Sequence, residues 1–368
     1  MRIAVFGTGQ LARMMALEGI AMGVDFSFLK TAGEDSRCVD HLGLVVEQQE
    51  GESAASVYER LGSPDVITTE KEGVDVDFYQ QFVNFAKVSP PAKAVWVSQN
   101  RLREKQFLND QGVPTAAFAP ADSIDEIPGK AAKLGFPVIV KTQENGYDGK
   151  GQWWLDSADD VAKMSGAEAS GPWLIEKVVP FEREVSVVAA RSASGEVVAY
   201  PLAENVHKGG ILLTSISPCE AISAELAKSV NQSMKRLLDA LDYVGVLSME
   251  CFVTGEGIVA NELAPRVHNS GHWTQDALPV GQFEQHVRAL LGLPLGGNEL
   301  GGAAAMVNLL GVKPDAAQVL ASNRHFHWYG KEVREGRKVG HINVQAGSRE
   351  QLVREVDTLL AEIYPTAK

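Results

Sequence analysis

A bend crowded with charged and polar side chains follows a predicted β-hairpin, in the segment NELAPRVHNSGHWTQ at residues 261–275. The hairpin LSMECFVTGEGIVA is expected to turn through a three-residue loop, Gly255–Gly257. Counting back from that turn pairs Glu250 with Glu262 on one face of the sheet. Two like charges directly opposite each other destabilise a sheet unless a cation lies between them. Carboxylate oxygens suit Mg²⁺ bound to substrate phosphates.

The hairpin alone leaves two interpretations open, because a register slip of one residue would put Glu250 and Glu262 on opposite faces. They are either a metal-binding pair or two solvated glutamates.

A second polar loop, in VIVKTQENGYDGKGQ, is predicted to bind phosphate. Lys141 ends an apolar strand, and Gly146, Gly149 and Gly151 punctuate the loop before the next strand. Backbone N–H groups of such a loop can cover phosphate oxygens while the lysine supplies fixed positive charge. The alternative is a plain hairpin turn. The segment PWLIEKVVPFEREVS adds Glu176 and Glu184, which could help to bind adenine and ribose or could be two surface glutamates.

The N-terminal motif GTGQLA, residues 7–12, follows one strand and begins a helix, an arrangement that attracts phosphate. A dinucleotide fingerprint also requires an acidic residue at the end of the second strand, where this chain has Lys30. Nicotinamide binding is therefore disfavoured. Another phosphate ligand and a tight turn without any ligand both stay open.

These motifs need elements to position them, and the first hundred residues alternate strand and helix. RIAVFG, VDFSFLK, GLVVE and DVITTE are predicted strands of a parallel sheet. A helix is predicted in QNRLREKQFLNDQGVP, with Ser98 as its N-cap, and longer helices near residues 220–241 and 348–362. We expect an α/β and α+β chain with three domains, residues 1–99, 100–180 and 181–368.

Composition excludes several classes of protein. The chain has 368 residues and a formal net charge of −13, which argues against nucleic-acid binding. No apolar run approaches the roughly 18 residues that span a membrane. Cys38, Cys219 and Cys251 are scattered without metal spacing, as is typical of a reduced cytoplasmic protein.

Taken in order, the lysine strand, glycine-rich loop, glutamate linker and paired carboxylates resemble the ATP-grasp ligases. The segments GTGQLARM, NGYDGKGQ, ECF, NELAPRVHNSGHWT and KEVREGRKVGH resemble, more narrowly, the N5-carboxyaminoimidazole ribonucleotide synthetase family of purine biosynthesis. This resemblance implies an ATP-grasp fold with an N-terminal Rossmann-like domain. It also implies an enzyme that joins bicarbonate to 5-aminoimidazole ribonucleotide through carboxyphosphate, using ATP and Mg²⁺ or Mn²⁺. The family tends to form homodimers.

The resemblance also assigns roles to matching positions. Glu250 and Glu262 would hold the metal, and Arg266, His268 and Asn269 would lie where the acyl phosphate forms. The aminoimidazole ribonucleotide would be bound by Gln10, Glu70, Lys331, Arg337 and Lys338, with Glu72 as an alternative to Glu70. ATP would be bound by Arg101, Lys141, Gly146, Tyr147, Asp148, Gly149, Lys150, Gly151, Gln152, Glu176, Lys177, Val178, Val179, Glu184, His207, Asn261 and Glu262.

Three other functions compete with this one. A related ligase with another acceptor, such as a formate-using purine ligase or an amino-acid ligase, is disfavoured by the RVHNSGHW bend. A protein that senses ATP without turnover would bind ATP and release no bicarbonate-dependent phosphate. A nicotinamide oxidoreductase is disfavoured by Lys30.

Overall fold

The structure is a computed structural model that describes residues 1–144, 151–164, 171–220 and 222–365. Residues 145–150, within the segment predicted to bind phosphate, lie outside this range. Within it, no helix is long and apolar enough to cross a membrane.

The first sheet contains five described strands, all parallel, in the order β3-β2-β1-β4-β5. Its central strand is buried on both faces: Ile3 and Val5 belong to one core, and Ala4 and Phe6 to another. Such two-sided burial is typical of parallel sheets covered by helices. The elements are β1 (Arg2–Phe6), α1 (Gln10–Ala21), β2 (Asp25–Lys30), β3 (Leu44–Glu47), α2 (Ala54–Arg60), β4 (Val66–Thr69), α3 (Val76–Gln81), β5 (Lys87–Val88) and α4 (Ala92–Ser98).

A second sheet carries the strand that ends near Lys141. Its four described strands are antiparallel, in the order β6-β9-β7-β8. The helix before it starts later than predicted: Ser98 ends α4, and Asn100 caps the next helix by accepting hydrogen bonds from the N–H groups of Leu102 and Arg103. The elements are α5 (Arg101–Asp110), β6 (Phe118–Ala121), α6 (Ile127–Leu134), β7 (Val138–Thr142), β8 (Gln152–Leu155) and β9 (Trp173–Lys177).

The third sheet contains nine described strands, and every pairing within it is antiparallel. The two predicted long helices are present as α7 and α11, capped by Ser223 and Ser348. The elements are β10 (Arg183–Arg191), β11 (Val197–Ala199), β12 (Ala203–Lys208), β13 (Ile211–Ser217), α7 (Ala224–Ala240), β14 (Gly245–Thr254), β15 (Gly257–Ala264), α8 (Thr274–Ala277), α9 (Gln282–Leu291), β16 (Ala303–Leu310), α10 (Ala316–Val319), β17 (Arg324–Trp328), β18 (Lys338–Ala346) and α11 (Arg349–Ile363).

The β14–β15 hairpin confirms the predicted pair but not the predicted turn. Glu250 lies directly opposite Glu262, as expected. The turn, however, has two residues between paired Thr254 and Gly257, and the register shifts by one at Asn261, which forms a β-bulge. The shorter turn and the extra residue cancel, so that the two glutamates face each other.

The first and third sheets are joined by a buried histidine. His286 on α9 accepts a hydrogen bond at Nδ1 from the N–H of Val246 (3.0 Å), and its Nε2 lies 3.0 Å from Oγ1 of Thr68. Since Nδ1 accepts, the proton of the neutral ring is on Nε2, which donates to Thr68. Both sheets therefore share one fixed side chain close to their interface.

Candidate active site

A cavity of about 820 Å³ opens where the three sheets meet. Glu72 lies beyond β4 in the first sheet, Lys141 on β7 in the second, and Glu250 on β14 in the third. The volume of the cavity is in the range of sites that bind small molecules. The predicted residues that line it are Arg101, Lys141, Gln152, Glu184, His207, Glu250, Asn261, Glu262, Arg266, His268, Asn269 and Lys338.

Lys141 is part of a buried group of three charges. Its Nζ lies 3.1 Å from Oε2 of Glu176, and Nζ of Lys105 lies 3.2 Å from the same oxygen. Burial lowers the pKa of Lys141. Burial also raises the pKa of Glu176, but the two lysine charges outweigh that effect and leave it below its usual range. The lysine that faces the cavity is therefore fixed from behind by a carboxylate.

The facing glutamates are unequally exposed. Glu250 has 17% of its side chain exposed, whereas Glu262 has 43% and lies 3.7 Å from Nη1 of Arg101. Burial and the charge of Glu262 raise the pKa of Glu250 to about 8. Two carboxylates arranged in this way favour a bound cation, and Mg²⁺ commonly uses one or two carboxylates together with phosphate oxygens. The residues present therefore fit the metal predicted from the sequence.

His268 faces this pair as a neutral donor. Its Nδ1 lies 2.8 Å from Oγ of Ser270 and accepts a hydrogen bond from the Ser270 N–H, so the ring proton is on Nε2. That Nε2 is 3.5 Å from Oε1 of Glu250. Burial and the nearby charge of Arg266 hold the pKa of His268 well below its usual range. The ring can donate a hydrogen bond without adding positive charge.

Arg266 and Asn269 complete this side of the cavity. Nη2 of Arg266 lies 2.7 Å from Oε1 of Glu72, which joins the first sheet to the bend that follows β15. The amide of Asn269 exchanges two hydrogen bonds with that of Asn308, at 3.1 and 2.6 Å. Both side chains are thus oriented by residues that lie far from them in sequence.

Glu184 and His207 lie on neighbouring strands at the other side. The His207 Nδ1 is 2.5 Å from Oε2 of Glu184. Burial lowers the pKa of His207, but hydrogen bonding to Glu184 and its charge outweigh burial and raise it. Beside them the rings of Phe181 and Phe252 stack, with centroids 4.7 Å apart. They give the cavity an apolar surface against which a planar base can pack.

Several predicted residues lie outside the cavity lining. Gln10 and Lys331 do meet: the Lys331 ammonium donates to the Gln10 side-chain oxygen. Arg337 faces Asp35 at 3.7 Å. The lining also does not include Glu176, Lys177, Val178 or Val179. Lys177 donates to the backbone oxygens of Gly135 and Phe136. Gly151 adjoins β8, and Gly146, Tyr147, Asp148, Gly149 and Lys150 lie beyond the described residues.

The phosphate position predicted at GTGQLA is filled by the protein itself. The Glu70 carboxylate accepts hydrogen bonds from the N–H groups of Gly9 and Ala12 at the start of α1. A side chain at Gly7 would overlap Glu70, with a Cβ only 2.4 Å from its Cγ, and the backbone there has φ +126°. Of the two neighbouring glutamates, Glu72 faces the cavity and Glu70 caps the helix.

Sequence reasoning missed four residues that support the site: Glu72 as a partner of Arg266, Lys105, Asn308 and Gln282. Gln282 accepts from the His268 N–H and donates to the His268 oxygen. Asn308 gave a signal, since it is the polar residue in the apolar run AAAMVNLLG. Lys105 gave none, because lysine in a charged helix is usually solvated.

Three family models match the chain. They are the ribonucleotide synthetase preATP-grasp domain over residues 1–99, the ATP-grasp domain over 106–283 and the phosphoribosylaminoimidazole carboxylase C-terminal domain over 304–355. The N5-carboxyaminoimidazole ribonucleotide synthase of Pseudomonas aeruginosa is 39% identical over 98% of this chain and 99% of its own length. That of Brucella melitensis is 43% identical over 92% and 95%. The chain belongs to the N5-carboxyaminoimidazole ribonucleotide synthase family.

Solved structures of the family agree. The synthetase of Thermus thermophilus superposes with a TM-score of 0.92 at 39% identity, covering 100% of this chain and 99% of that one. The synthase of Aspergillus clavatus, in complex with ADP and 5-aminoimidazole ribonucleotide, gives 0.88 at 27% identity, covering 98% and 97%. The predicted family and ATP-grasp fold with an N-terminal parallel sheet are confirmed.

Proposed function

We propose that this protein is an ATP-dependent ligase of purine biosynthesis that joins bicarbonate to 5-aminoimidazole ribonucleotide. The products are N5-carboxyaminoimidazole ribonucleotide, ADP and phosphate. One observation carries the proposal: the facing glutamates, Lys141, Arg266 and His268 line one cavity. The names of relatives that match nearly the whole chain support it.

ATP is assigned to the side of the cavity formed by the second and third sheets. Lys141 and Arg101 would meet the phosphates with fixed positive charge, and Gln152 borders the same space. Glu184 can accept hydrogen bonds from ribose hydroxyls, with His207 orienting its carboxylate. The stacked phenylalanines would pack against the adenine.

Glu250 and Glu262 would hold Mg²⁺, or Mn²⁺, beside Asn261. When bound, such an ion neutralises charge on the phosphates of the nucleotide. Burial and the charge of Glu262 raise the pKa of Glu250, and a bound cation would favour the charged carboxylate against both effects.

The first chemical step forms carboxyphosphate. An oxygen of bicarbonate attacks the terminal phosphorus of ATP, and the bond to the leaving ADP oxygen breaks. Arg266 can bind the developing oxyanion, and neutral His268 and Asn269 can donate hydrogen bonds to it. The three residues belong to the bend that begins at Glu262, so the metal and the acyl phosphate would lie next to each other.

In the second step the exocyclic amine of the ribonucleotide bonds to the carboxyl carbon. The bond from that carbon to the phosphate oxygen breaks, phosphate leaves and the amine loses one proton. Lys338 lies at the cavity wall, and its charge and that of Arg337 act on Lys331, which donates to Gln10. These four residues would bind the ribonucleotide. Glu72, paired with Arg266, would contact the substrate in place of Glu70.

The remaining parts of the proposal concern organisation. Residues 1–99, 100–180 and 181–368 are assigned as three domains. The sheet boundaries support this division: the last strand of the first sheet ends at Val88, that of the second ends at Lys177, and the third sheet begins at Arg183. A homodimer is proposed, which sedimentation analysis would test. A cytoplasmic location is proposed from the role in purine synthesis and from three free, buried cysteines.

A phosphate-release assay tests the function. With ATP, Mg²⁺ and bicarbonate, addition of 5-aminoimidazole ribonucleotide should accelerate phosphate release and consume the ribonucleotide in equal amount. An ATP-binding sensor would bind ATP and release no bicarbonate-dependent phosphate. A ligase with another acceptor would leave the ribonucleotide unchanged, and either result would overturn the proposal.

A further inference from the structure

Lys105 is a buried lysine that contacts the site only through other residues. It is 1% exposed and lies behind the cavity wall, whereas Lys141 reaches the cavity. The Nζ atoms of both lysines contact Oε2 of Glu176, at 3.2 and 3.1 Å. The other oxygen of Glu176, Oε1, is buried and has no hydrogen-bond partner among the described residues.

The charges of this group do not cancel. Two ammonium groups and one carboxylate leave a net charge of +1, and the group is 1–7% exposed throughout. Interactions between charges are strong at such depth because water screens them little. Without Lys105, Glu176 would be balanced by Lys141 alone, and the group would present no net charge to an anion in the cavity.

Lys105 has a second attachment, to the metal-binding hairpin. Its Nζ donates to the backbone oxygen of Asn261 at 3.0 Å. Asn261 is the bulged residue that brings Glu262 opposite Glu250. One ammonium group thus connects the carboxylate behind Lys141 with the bulge that aligns the glutamates. Burying a charge is unfavourable unless it is paired, so a lysine here needs these partners.

We propose that Lys105 is a positioning residue for the nucleotide site: it neutralises Glu176 so that the charge of Lys141 remains available to the phosphates of ATP. This inference rests on the proposed function only in taking ATP as the anion that Lys141 meets. It makes Lys105 a determinant of nucleotide affinity without contact between Lys105 and the nucleotide.

The test is a charge-substitution series at Lys105, measured by calorimetric titration of the full chain with ATP and Mg²⁺. Lys105→Met should weaken ATP binding roughly ten- to a hundredfold, the usual range for losing one charge-assisted interaction. Lys105→Arg, which keeps a positive charge beside Glu176, should recover most of that loss. Lys133→Met, which removes an exposed lysine of α6, should leave the affinity unchanged.

Two results would overturn the inference: an ATP affinity of Lys105→Met within about twofold of wild type, or a Lys105→Arg variant that binds no better than Lys105→Met. If Lys105→Met does not fold, Lys105→Gln takes its place, because its neutral amide can still donate to the Asn261 oxygen. Its ATP affinity should fall roughly ten- to a hundredfold, and an affinity within about twofold of wild type refutes the proposal. Binding is measured apart from turnover, so a wild-type protein that binds ATP but does not consume the ribonucleotide would refute the proposed function only.

Discussion

Glu262 can lose its charge with little change of shape, which makes it the sharpest residue at which to test the metal assignment. We expect Glu262→Gln to fold normally and to lose at least roughly a hundredfold in phosphate release, because one of the two carboxylates assigned to the metal would become a weaker neutral ligand. Circular dichroism and the phosphate-release rate at saturating Mg²⁺ are the measurements. Glu256→Gln, in the exposed turn of the same hairpin, is the matched control. A wild-type rate for Glu262→Gln would contradict the assignment.

Lys338 tests the division of the cavity between the two large substrates. It lines the cavity at the start of β18, in the densest basic run of an acidic chain. Lys338→Ala should raise the apparent Michaelis constant for the aminoimidazole ribonucleotide roughly ten- to a hundredfold and that for ATP much less. Lys228→Ala, on an exposed position of α7, is the control. An equal effect on both constants would instead place Lys338 in the nucleotide site.

At the scale of elements, the start of α1 depends on Glu70. Both carboxylate oxygens accept N–H groups there, whereas glutamine has only one acceptor oxygen and would turn its NH₂ group toward a donor. Glu70→Gln should therefore lower the free energy of unfolding by about 1–3 kcal/mol, measured by urea titration. Glu72→Gln should instead act mainly on kcat/KM, through its ion pair with Arg266. The reverse distribution of effects would show that Glu70 contacts the substrate.

Elements with strong local signals could be predicted from the sequence. Alternating strands and helices predicted the parallel sheet, and both long helices were predicted close to their observed bounds. The start of α5 could not be predicted, because Ser98 and Asn100 are equally good N-cap residues. In the structure Asn100 is the N-cap. The hairpin shows a subtler limit: the bulge at Asn261 cannot be counted from a turn, yet it compensates for a turn one residue shorter than expected.

Within the site, side chains on the motif segments could be predicted, and their supporting partners could not. Arg266 and Glu72 are far apart in the chain but 2.7 Å apart in space, and the Asn308 amide orients Asn269 from another strand. Nothing in the local pattern around Glu72 or Lys105 specifies such a partner. These contacts follow from how the three sheets pack, which depends on the whole sequence.

At the scale of the molecule, His286 makes stability depend on pH. Burial lowers its pKa from 6.5 to about 4. Between pH 6.5 and pH 4 this histidine is protonated in the unfolded chain but neutral in the folded protein. Its contribution to the free energy of unfolding is therefore complete above pH 6.5 and is lost as the pH falls toward 4. At pH 5 this histidine alone should lower the free energy of unfolding by about 2 kcal/mol relative to neutral pH.

Urea unfolding of wild type and His286→Asn at pH 7.5 and pH 5 checks this. The variant should be less stable at pH 7.5, because Thr68 and the Val246 N–H lose their partner. The difference between the two proteins should shrink by about 2 kcal/mol at pH 5. A difference that stays constant with pH would mean that His286 is not the titrating group.

The bulge at Asn261 also separates the hairpin into two independently registered parts. Glu250 and Glu262 are aligned on one side of it, and the tip from Cys251 to Ala260 is paired on the other. Gly255 and Glu256 at that tip are exposed. Added residues there would lengthen only the loop, and each doubling of a flexible loop costs about 0.6 kcal/mol. The tip is therefore a permissive insertion point for an epitope or a fluorescent reporter, one that would move with the β14–β15 hairpin while leaving its two carboxylates in register.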